Sequence, residues 1–105
     1  MISTKFNNFK KGFIEKANND NIKKLVQNRK TDNLNYIDTT NVTDMSSLFY
    51  NNDFNGNISR WNISNVKFMN MLFYKSQFVE DISKWNISNV KICYVCFIIL
   101  NLIEI

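Results

Sequence analysis

The chain has 105 residues, a formal net charge of +4 and 45% hydrophobic residues, which is the size and composition of one small globular domain. It has no proline, no histidine and only two glycines, so its turns depend on other residues and no imidazole can act as a base near neutral pH. Abundant asparagine supplies turns, because its short amide bonds to neighbouring backbone and tolerates left-handed conformations. This composition argues against a disordered chain and against an enzyme.

The N-terminal third, residues 1–33, is predicted to be a helical cap. It carries two apolar helical stripes, the first made of Phe6, Phe9, Phe13 and Ala17 and the second of Ile22, Leu25 and Val26. Asp20 or Asn21 stands where it can cap the second helix. The segment is rich in lysine, and we interpret these charges as the solvated outer face of the cap rather than as a nucleic-acid or membrane-binding surface.

From residue 37 onward the sequence repeats with a period of 24 residues. Seven consecutive identities relate residues 61–67 (WNISNVK) to residues 85–91. An earlier copy opens at residue 37 with IDTTNV, so that the repeat domain, residues 34–105, contains units at 37–60, 61–84 and an incomplete 85–105. A fixed period of this length predicts a solenoid in which each unit buries its apolar side chains against its neighbours.

Inside each unit the apolar spacing predicts one short helix and one short strand. Val42, Met45, Leu48 and Phe49 follow one helical face, and their copies recur in the next unit. Residues 59–63 and their copies alternate with a period of two, which is typical of a strand. We therefore predict an α/β fold, a short β/α solenoid with a small parallel sheet and an N-terminal helical cap.

An asparagine precedes each predicted helix, and it has two structural interpretations. Asn41, Asn65 and Asn89 stand where an N-cap side chain accepts a hydrogen bond from a free backbone N–H group. Alternatively, the same side chains form a ladder of hydrogen bonds between successive units. Both interpretations are structural, and neither predicts a ligand site.

Residues 57–66 (NISRWNISNV) and 81–90 (DISKWNISNV) resemble the "DISxWDVSNV" repeat of BspA-like leucine-rich-repeat surface proteins. Residues 37–49 (IDTTNVTDMSSLF) are similar to the first unit of that family, and the resemblance covers residues 20–91. It implies a leucine-rich-repeat-like solenoid in a bacterial surface protein or lipoprotein, of the kind assigned to adhesion or host interaction. It implies no catalytic residues and no cofactor.

Both ends of the chain differ from the surface proteins of that family. Residues 1–16 lack the continuous apolar run of an export signal, so we expect either a cytoplasmic protein or a fragment of an exported one. The longest apolar run, Ile92–Leu100, is far shorter than the roughly 20 residues that span a bilayer. Because the repeat pattern stops after Lys91, we expect self-association through the apolar residues 92–105, or a truncated, degenerate array with a structural role only.

Two motifs invite functional interpretations that the rest of the sequence does not favour. Cys93-x-x-Cys96 falls short of a metal site, because the chain has no histidine and no third cysteine. The repeat alignment predicts that both sulfurs pack in the core. Trp61 and Trp85 are likewise predicted to pack between units rather than to stack on sugars or bases.

The outward positions of the predicted strands are the candidate binding residues. With Trp61 and Ile63 turned inward, two rows face outward, the first made of Tyr36, Arg60 and Lys84 and the second of Asp38, Asn62 and Asn86. Exposed regular faces are where repeat proteins usually bind, and tyrosine and arginine are enriched at interfaces. We predict a non-enzymatic module that binds a protein or a cell-surface macromolecule here, without metal, cofactor or nucleic acid; the alternative is a solvated face with no partner.

Overall fold

The computed structural model describes residues 15–97. Along this part of the chain the regular elements are strand β1 (Glu15–Lys16), helix α1 (Ile22–Gln27) and strand β2 (Ile37–Asp38). The two strands pair in parallel, with Glu15 opposite Ile37. The rest of the described chain consists of turns, bends, isolated bridges and residues without regular structure, so the order of the repeat domain comes from contacts between units rather than from long elements.

Helix α1 lies where the second apolar stripe predicts it. Ile22 and Val26 are buried against the first repeat unit. Asn21 occupies the N-cap position without a side-chain capping bond. Instead, the Asn18 Oδ1 atom accepts hydrogen bonds from the backbone N–H groups of Asp20 and Asn21, at 2.9 and 3.0 Å, and turns the chain into the helix. None of the helices within residues 15–97 has the length and apolarity needed to cross a membrane.

The first predicted helix of the cap falls mostly outside the described residues, which do not include Phe6, Phe9 and Phe13. Its last member, Ala17, follows β1 and is not helical, so the prediction is wrong at this point. The Ala17 N–H donates to the Asp38 carbonyl at 2.9 Å. Pairing with β2 therefore decides the backbone conformation here, and Ala17 is buried by the strand contact instead of by a helical face.

Successive repeat units lie against each other along their backbones. Alternate N–H groups of the first unit donate to carbonyls 23 positions later, in bonds from Met45 to Phe68, Ser47 to Asn70, Phe49 to Leu72 and Asn51 to Tyr74. The second unit repeats the pattern with bonds from Met69 to Ile92, Met71 to Tyr94 and Phe73 to Cys96. Parallel bridges also join Asp44 to Phe68 and Phe68 to Ile92. The units are thus stacked in register, one period apart.

The helix predicted within each unit is absent, and the prediction is wrong. Residues 46–51 form turns, in which Ser47 and Asn51 have φ angles of 60° and 51°. Left-handed residues interrupt a right-handed helix. The same conformation recurs one period later at Met71 and Lys75 and again at Val95. The apolar stripe is buried all the same, because consecutive turns bring its side chains to one side of the chain.

The strand predicted at residues 59–63 and its copy at 83–87 are also absent. The chain there forms turns at 59–60 and 64–65, joined by residues 61–63, which belong to no regular element. Trp61 and Ile63 are buried and Asn62 is exposed. The alternation with a period of two therefore predicts correctly which side chains are buried, although no strand forms. The bridges between units lie elsewhere, because the asparagine side chains close turns on both sides of the tryptophan.

The core consists of aromatic columns in which rings one period apart stack face to face. The pairs and their centroid distances are Phe49–Phe73 at 5.7 Å, Phe54–Phe78 at 6.2 Å and Trp61–Trp85 at 6.4 Å. The Trp61 and Trp85 Nε1–H groups donate to the carbonyls of Leu34 and Ile58, at 2.8 and 3.0 Å. Each buried indole therefore has its polar atom satisfied, and the prediction that both tryptophans pack between units is confirmed.

An asparagine ladder runs alongside these columns. The Asn65 Nδ2 donates to the Thr40 carbonyl at 2.8 Å, and the Asn89 Nδ2 donates to the Ser64 carbonyl at 2.7 Å. Each bond connects one unit to the unit before it. The ladder interpretation is confirmed for these two residues, and the N-cap interpretation is wrong because no helix follows them.

Candidate functional site

The first row of candidate residues, hereafter the corner row (Tyr36, Arg60 and Lys84), lies at the turns just before the column of Ile37, Trp61 and Trp85. Arg60 and Lys84 are exposed, whereas Tyr36 is half-buried and packs against the core. Because the rings of Trp61 and Trp85 stack at 6.4 Å, the two residues that precede them stand one unit apart on the same side of the molecule. The structure therefore brings the basic members of the row next to each other.

Side-chain oxygens hold the backbone of each corner. The Asn57 Oδ1 accepts hydrogen bonds from the Ser59 N–H and Oγ–H groups, at 3.0 and 2.8 Å. The Arg60 N–H donates to the Asn35 Oδ1 of the preceding unit at 2.9 Å. These bonds restrain the main chain and leave the Arg60 guanidinium in solvent, so the backbone that presents the charge is preorganised.

The corner before Lys84 uses a carboxylate in place of the asparagine. The Asp81 Oδ1 accepts a hydrogen bond from the Ser83 N–H at 2.8 Å. The backbone and side-chain hydrogen bonds from Ser83, with the Lys84 charge as a smaller contribution, lower the pKa of Asp81 below its usual value. Asp81 therefore stays ionised at neutral pH while serving as a turn acceptor.

Neither Arg60 nor Lys84 forms an ion pair within residues 15–97, although the Asp81 carboxylate is near enough to Lys84 to interact with its charge. The ion pair in this part of the chain joins the Arg29 guanidinium to the Asp53 carboxylate at 3.2 Å. Two exposed cations on successive units attract an anionic partner over roughly one Debye length, about 8 Å at physiological salt. The corner row is therefore suited to contact with an acidic surface.

The second row, hereafter the turn row (Asp38, Asn62 and Asn86), is engaged in the protein's own structure. Each side-chain Oδ1 accepts a hydrogen bond from the N–H group two residues later, from Thr40 to Asp38, from Ser64 to Asn62 and from Ser88 to Asn86, each at 3.0 Å. Hydroxyl groups of Thr40 and Ser64 donate to the same oxygens. Because these oxygens close turns, only the remaining polar atoms of the turn row are available for other contacts.

Asp38 is the one ionisable member of the turn row. Hydrogen bonds from the Thr40 hydroxyl and backbone N–H, assisted by the Lys16 charge, lower the pKa of Asp38 below its usual value. The carboxylate is thus ionised at neutral pH, beside the exposed Lys16. Its environment stabilises charge for turn formation, and nothing about it resembles a general base, whose pKa must lie near the working pH.

The prediction that both cysteine sulfurs pack in the core is wrong for Cys93. Cys96 is buried, whereas Cys93 is exposed although its counterparts Met45 and Met69 are in the core. The difference arises because no described unit covers the third unit. The structure joins the two cysteines in a disulfide. Within residues 15–97 no group of three metal-binding side chains comes together.

An open groove of about 340 Å³ lies between α1 and the turn that follows Asp44. The Asn19 Oδ1 accepts hydrogen bonds from the N–H groups of Thr43 and Asp44, at 2.9 and 3.1 Å, and its Nδ2 donates to the Thr43 hydroxyl. Sequence reasoning missed this connection. The signal was available, because Asn19 stands one period before Thr43. The polar atoms of Asn19 thus join the cap to the first unit.

Comparison with known proteins adds one finding to this geometry. A family model matches residues 20–99, which include α1 and the described part of all three repeat units. The family is described as "Mycoplasma protein of unknown function, DUF285". No curated protein and no solved structure matches the chain. Since the matched segment is well over half of the sequence, the chain belongs to the DUF285 family.

Proposed function

We propose that this protein is a non-enzymatic binding module of the BspA-like leucine-rich-repeat type, whose corner row contacts an acidic patch on a protein or another cell-surface macromolecule. Its fold is a short solenoid in which each unit makes one turn. The backbone bonds between positions 23 residues apart support the solenoid, and so do the aromatic columns.

The observation that carries the binding proposal is the contrast between the corner row and the column beside it. Trp61 and Trp85 are identical and buried, while the adjacent Arg60 and Lys84 are exposed, without an ion pair in the described chain, and differ from unit to unit. Identical inward residues preserve the stack. Variable outward residues on a restrained backbone are the arrangement with which repeat proteins recognise partners.

Arginine suits this role because its planar guanidinium donates two parallel hydrogen bonds to one carboxylate. Lys84 adds a second positive charge one unit away, so the preferred partner carries acidic groups at a matching spacing. Tyr36 supplies an aromatic surface at the end of the row and is partly held by the core. The resemblance to BspA-like surface proteins favours adhesion or host interaction as the setting.

The test compares two double variants that remove the same amount of charge. Arg60→Glu with Lys84→Glu changes the corner row, and Lys67→Glu with Lys91→Glu changes two exposed lysines elsewhere, also one period apart. Fluorescently labelled protein is titrated onto cultured epithelial cells, and saturable binding is measured by flow cytometry. We expect the first variant to lose binding by about tenfold or more, and the second to retain most of it.

Circular dichroism of both variants checks that the fold is intact. Raising the salt concentration should weaken binding of the unaltered protein, because the contact is electrostatic. The proposal is wrong if the unaltered protein shows no saturable binding, or if the two double variants lose binding equally.

A further inference from the structure

The third unit closes its turn with a bond of a different kind from the other units. In the first two units a backbone hydrogen bond closes the turn, from the Leu48 N–H to the Met45 carbonyl at 3.2 Å and from the Leu72 N–H to the Met69 carbonyl at 3.3 Å. The equivalent residues of the third unit are Cys96 and Cys93, and no such hydrogen bond joins them. Their side chains form a disulfide instead. A covalent link therefore takes the place of the turn hydrogen bond.

Each of these turns contains a left-handed residue, and the residue in the third unit is the least suited to that conformation. The left-handed residues are Ser47, Met71 and Val95, with φ angles of 60°, 56° and 45°. A β-branched side chain is strained in the left-handed region, because its Cβ carries two heavy atoms next to the backbone. The third turn thus needs more restraint than the other two.

The same turn carries acceptors for the second unit. The Met71 N–H donates to the Tyr94 carbonyl at 2.9 Å, and the Phe73 N–H donates to the Cys96 carbonyl at 3.0 Å. Val95 lies between these two acceptors, so its backbone angles set how far apart the two carbonyls lie and where they point. The register of the third unit on the second therefore depends on the left-handed conformation of Val95.

The backbone of this turn accommodates the disulfide. The Cα atoms of Cys93 and Cys96 are 5.1 Å apart, within the range of about 4.4–6.8 Å that is usual for disulfides. The two cysteines are three positions apart in sequence, on either side of Val95. Because the link spans so few residues, it acts on the conformation of the turn itself.

We propose that the Cys93–Cys96 disulfide is a reversible redox switch that controls whether the third unit stays docked on the second. In the switching step a thiolate of an external dithiol attacks one sulfur of the pair, forms a mixed disulfide and releases the thiolate of the other cysteine. The second thiol of the reductant then displaces the sulfur that is still bound to it. The reductant becomes a cyclic disulfide, and the protein takes up two electrons and two protons as two thiols.

Reduction removes the restraint on Val95. Once Val95 leaves the left-handed region, the Tyr94 and Cys96 carbonyls lose their register with the second unit, and the third unit separates from it. The hydrogen bonds between the first and second units do not involve this turn and stay intact. The switch therefore shortens the ordered stack by one unit, and it is independent of the corner row.

Hydrogen exchange followed by NMR on the full-length protein, with and without dithiothreitol, tests this switch. The amides of Met71 and Phe73 report on the third unit, because they donate to it, and the Phe49 amide is the reference, because it donates to the second unit. We expect reduction to accelerate exchange at Met71 and Phe73 by about tenfold or more. Exchange at Phe49 should change by less than about twofold.

Two variants test the mechanism, and a third is the control. Cys93→Ser combined with Cys96→Ser should exchange at Phe73 as fast as the reduced protein, with or without dithiothreitol. Val95→Gly should respond less to reduction than the unaltered protein, because glycine adopts the left-handed region without strain. Ser47→Gly makes the same change in a turn that has no disulfide, so its response to reduction should equal that of the unaltered protein.

Three results would overturn the proposal. The first is unchanged exchange at Met71 and Phe73 after thiol titration shows that reduction is complete. The second is equal acceleration at Phe73 and Phe49, which would mean that the disulfide stabilises the whole fold. The third is a full response to reduction by Val95→Gly, because the conformation of Val95 would then not transmit the loss of the link.

Discussion

Phe73 in the second unit and Phe97 in the third occupy the same position of the repeat, yet the first is 0% exposed and the second is 40% exposed. The 24-residue period aligns the two positions, and the difference in exposure comes from what lies next to each ring. The ring of Phe73 is stacked with rings of the first and second units and packs at a tilt against Phe97 of the third. In this molecule a side chain is buried by its neighbouring units and only secondarily by its own.

The largest expected effect comes from breaking the column at its centre. Phe73→Ala should lower the free energy of unfolding by about 3–5 kcal/mol, because it leaves a cavity that the surrounding stacked rings cannot move to fill. Phe97→Ala should cost less than about 1 kcal/mol, since that ring is already partly in water. Urea unfolding followed by tryptophan fluorescence measures both. Equal losses at the two positions would contradict the dependence on neighbouring units.

The next effect concerns the close approach between the cap and the first unit at Gly56. A Cβ atom there would collide with the carbonyl of Asp32, beside the bridge that pairs Asn33 with Asn57. Gly56→Ala should therefore cost about 2–3 kcal/mol, because backbone must move to admit the methyl group. Gln77→Ala, at an exposed position of the second unit, is the control and should change stability by less than about 0.5 kcal/mol. A small effect of Gly56→Ala would show that the two segments separate easily.

A smaller effect, of opposite sign, is expected at the left-handed positions. Lys75 has a φ angle of 59°, which is costly for its side chain, whereas Asn51 tolerates the same region one period earlier. Lys75→Gly should raise the free energy of unfolding by about 0.5–1 kcal/mol, and Asn51→Gly should change it by only a few tenths. The urea midpoints of the two variants give the comparison. Destabilisation by Lys75→Gly would mean that its contact with the Tyr74 ring matters more than the backbone.

The smallest effect distinguishes the first unit, which has Asp38, from the later units, which have Asn62 and Asn86. Because the folded pKa of Asp38 is lowered, its stabilisation is complete above the unfolded value of about 3.9 and is lost as the pH falls through the lowered pKa. Asp38→Asn keeps the acceptor for Thr40 and removes the titration. The free energy of unfolding of this variant should depend less on pH below about 4 than that of the unaltered protein. The difference should be well under about 1 kcal/mol, because the group is close to solvent. Identical acid profiles would assign the acid dependence to other carboxylates.

The sequence predicted the features that repeat and missed the features that are local. The 24-residue period placed Trp61 over Trp85, and helical spacing placed α1. The same spacing wrongly indicated helices inside the units. A succession of turns produces the same apolar spacing as a helix. Glycine would have indicated the left-handed positions, but Met71 and Val95 occupy them. Local backbone conformation was overridden by bonds between units.

The candidate site shows the same division. Alternation around Trp61 correctly placed Arg60 and Asn62 at the surface, because burial has a period that the sequence displays. It could not show that the Asn62 oxygen accepts the Ser64 N–H and so closes a turn, because an asparagine in a sequence is compatible with a turn and with a binding site alike. Nor did it single out Arg29, which lies 4.9 Å from the Phe54 ring and joins the cap to the first unit.

The direction of the bonds between units has a consequence for how the protein is made. Each unit that has folded presents N–H groups, and the carbonyls that satisfy them belong to residues about 23 positions later in the chain. During synthesis the ribosome therefore releases the acceptors after the donors have been arranged. Each newly synthesised unit can therefore bond at once to the folded unit that precedes it. The stack is suited to assembly in the order in which it is translated.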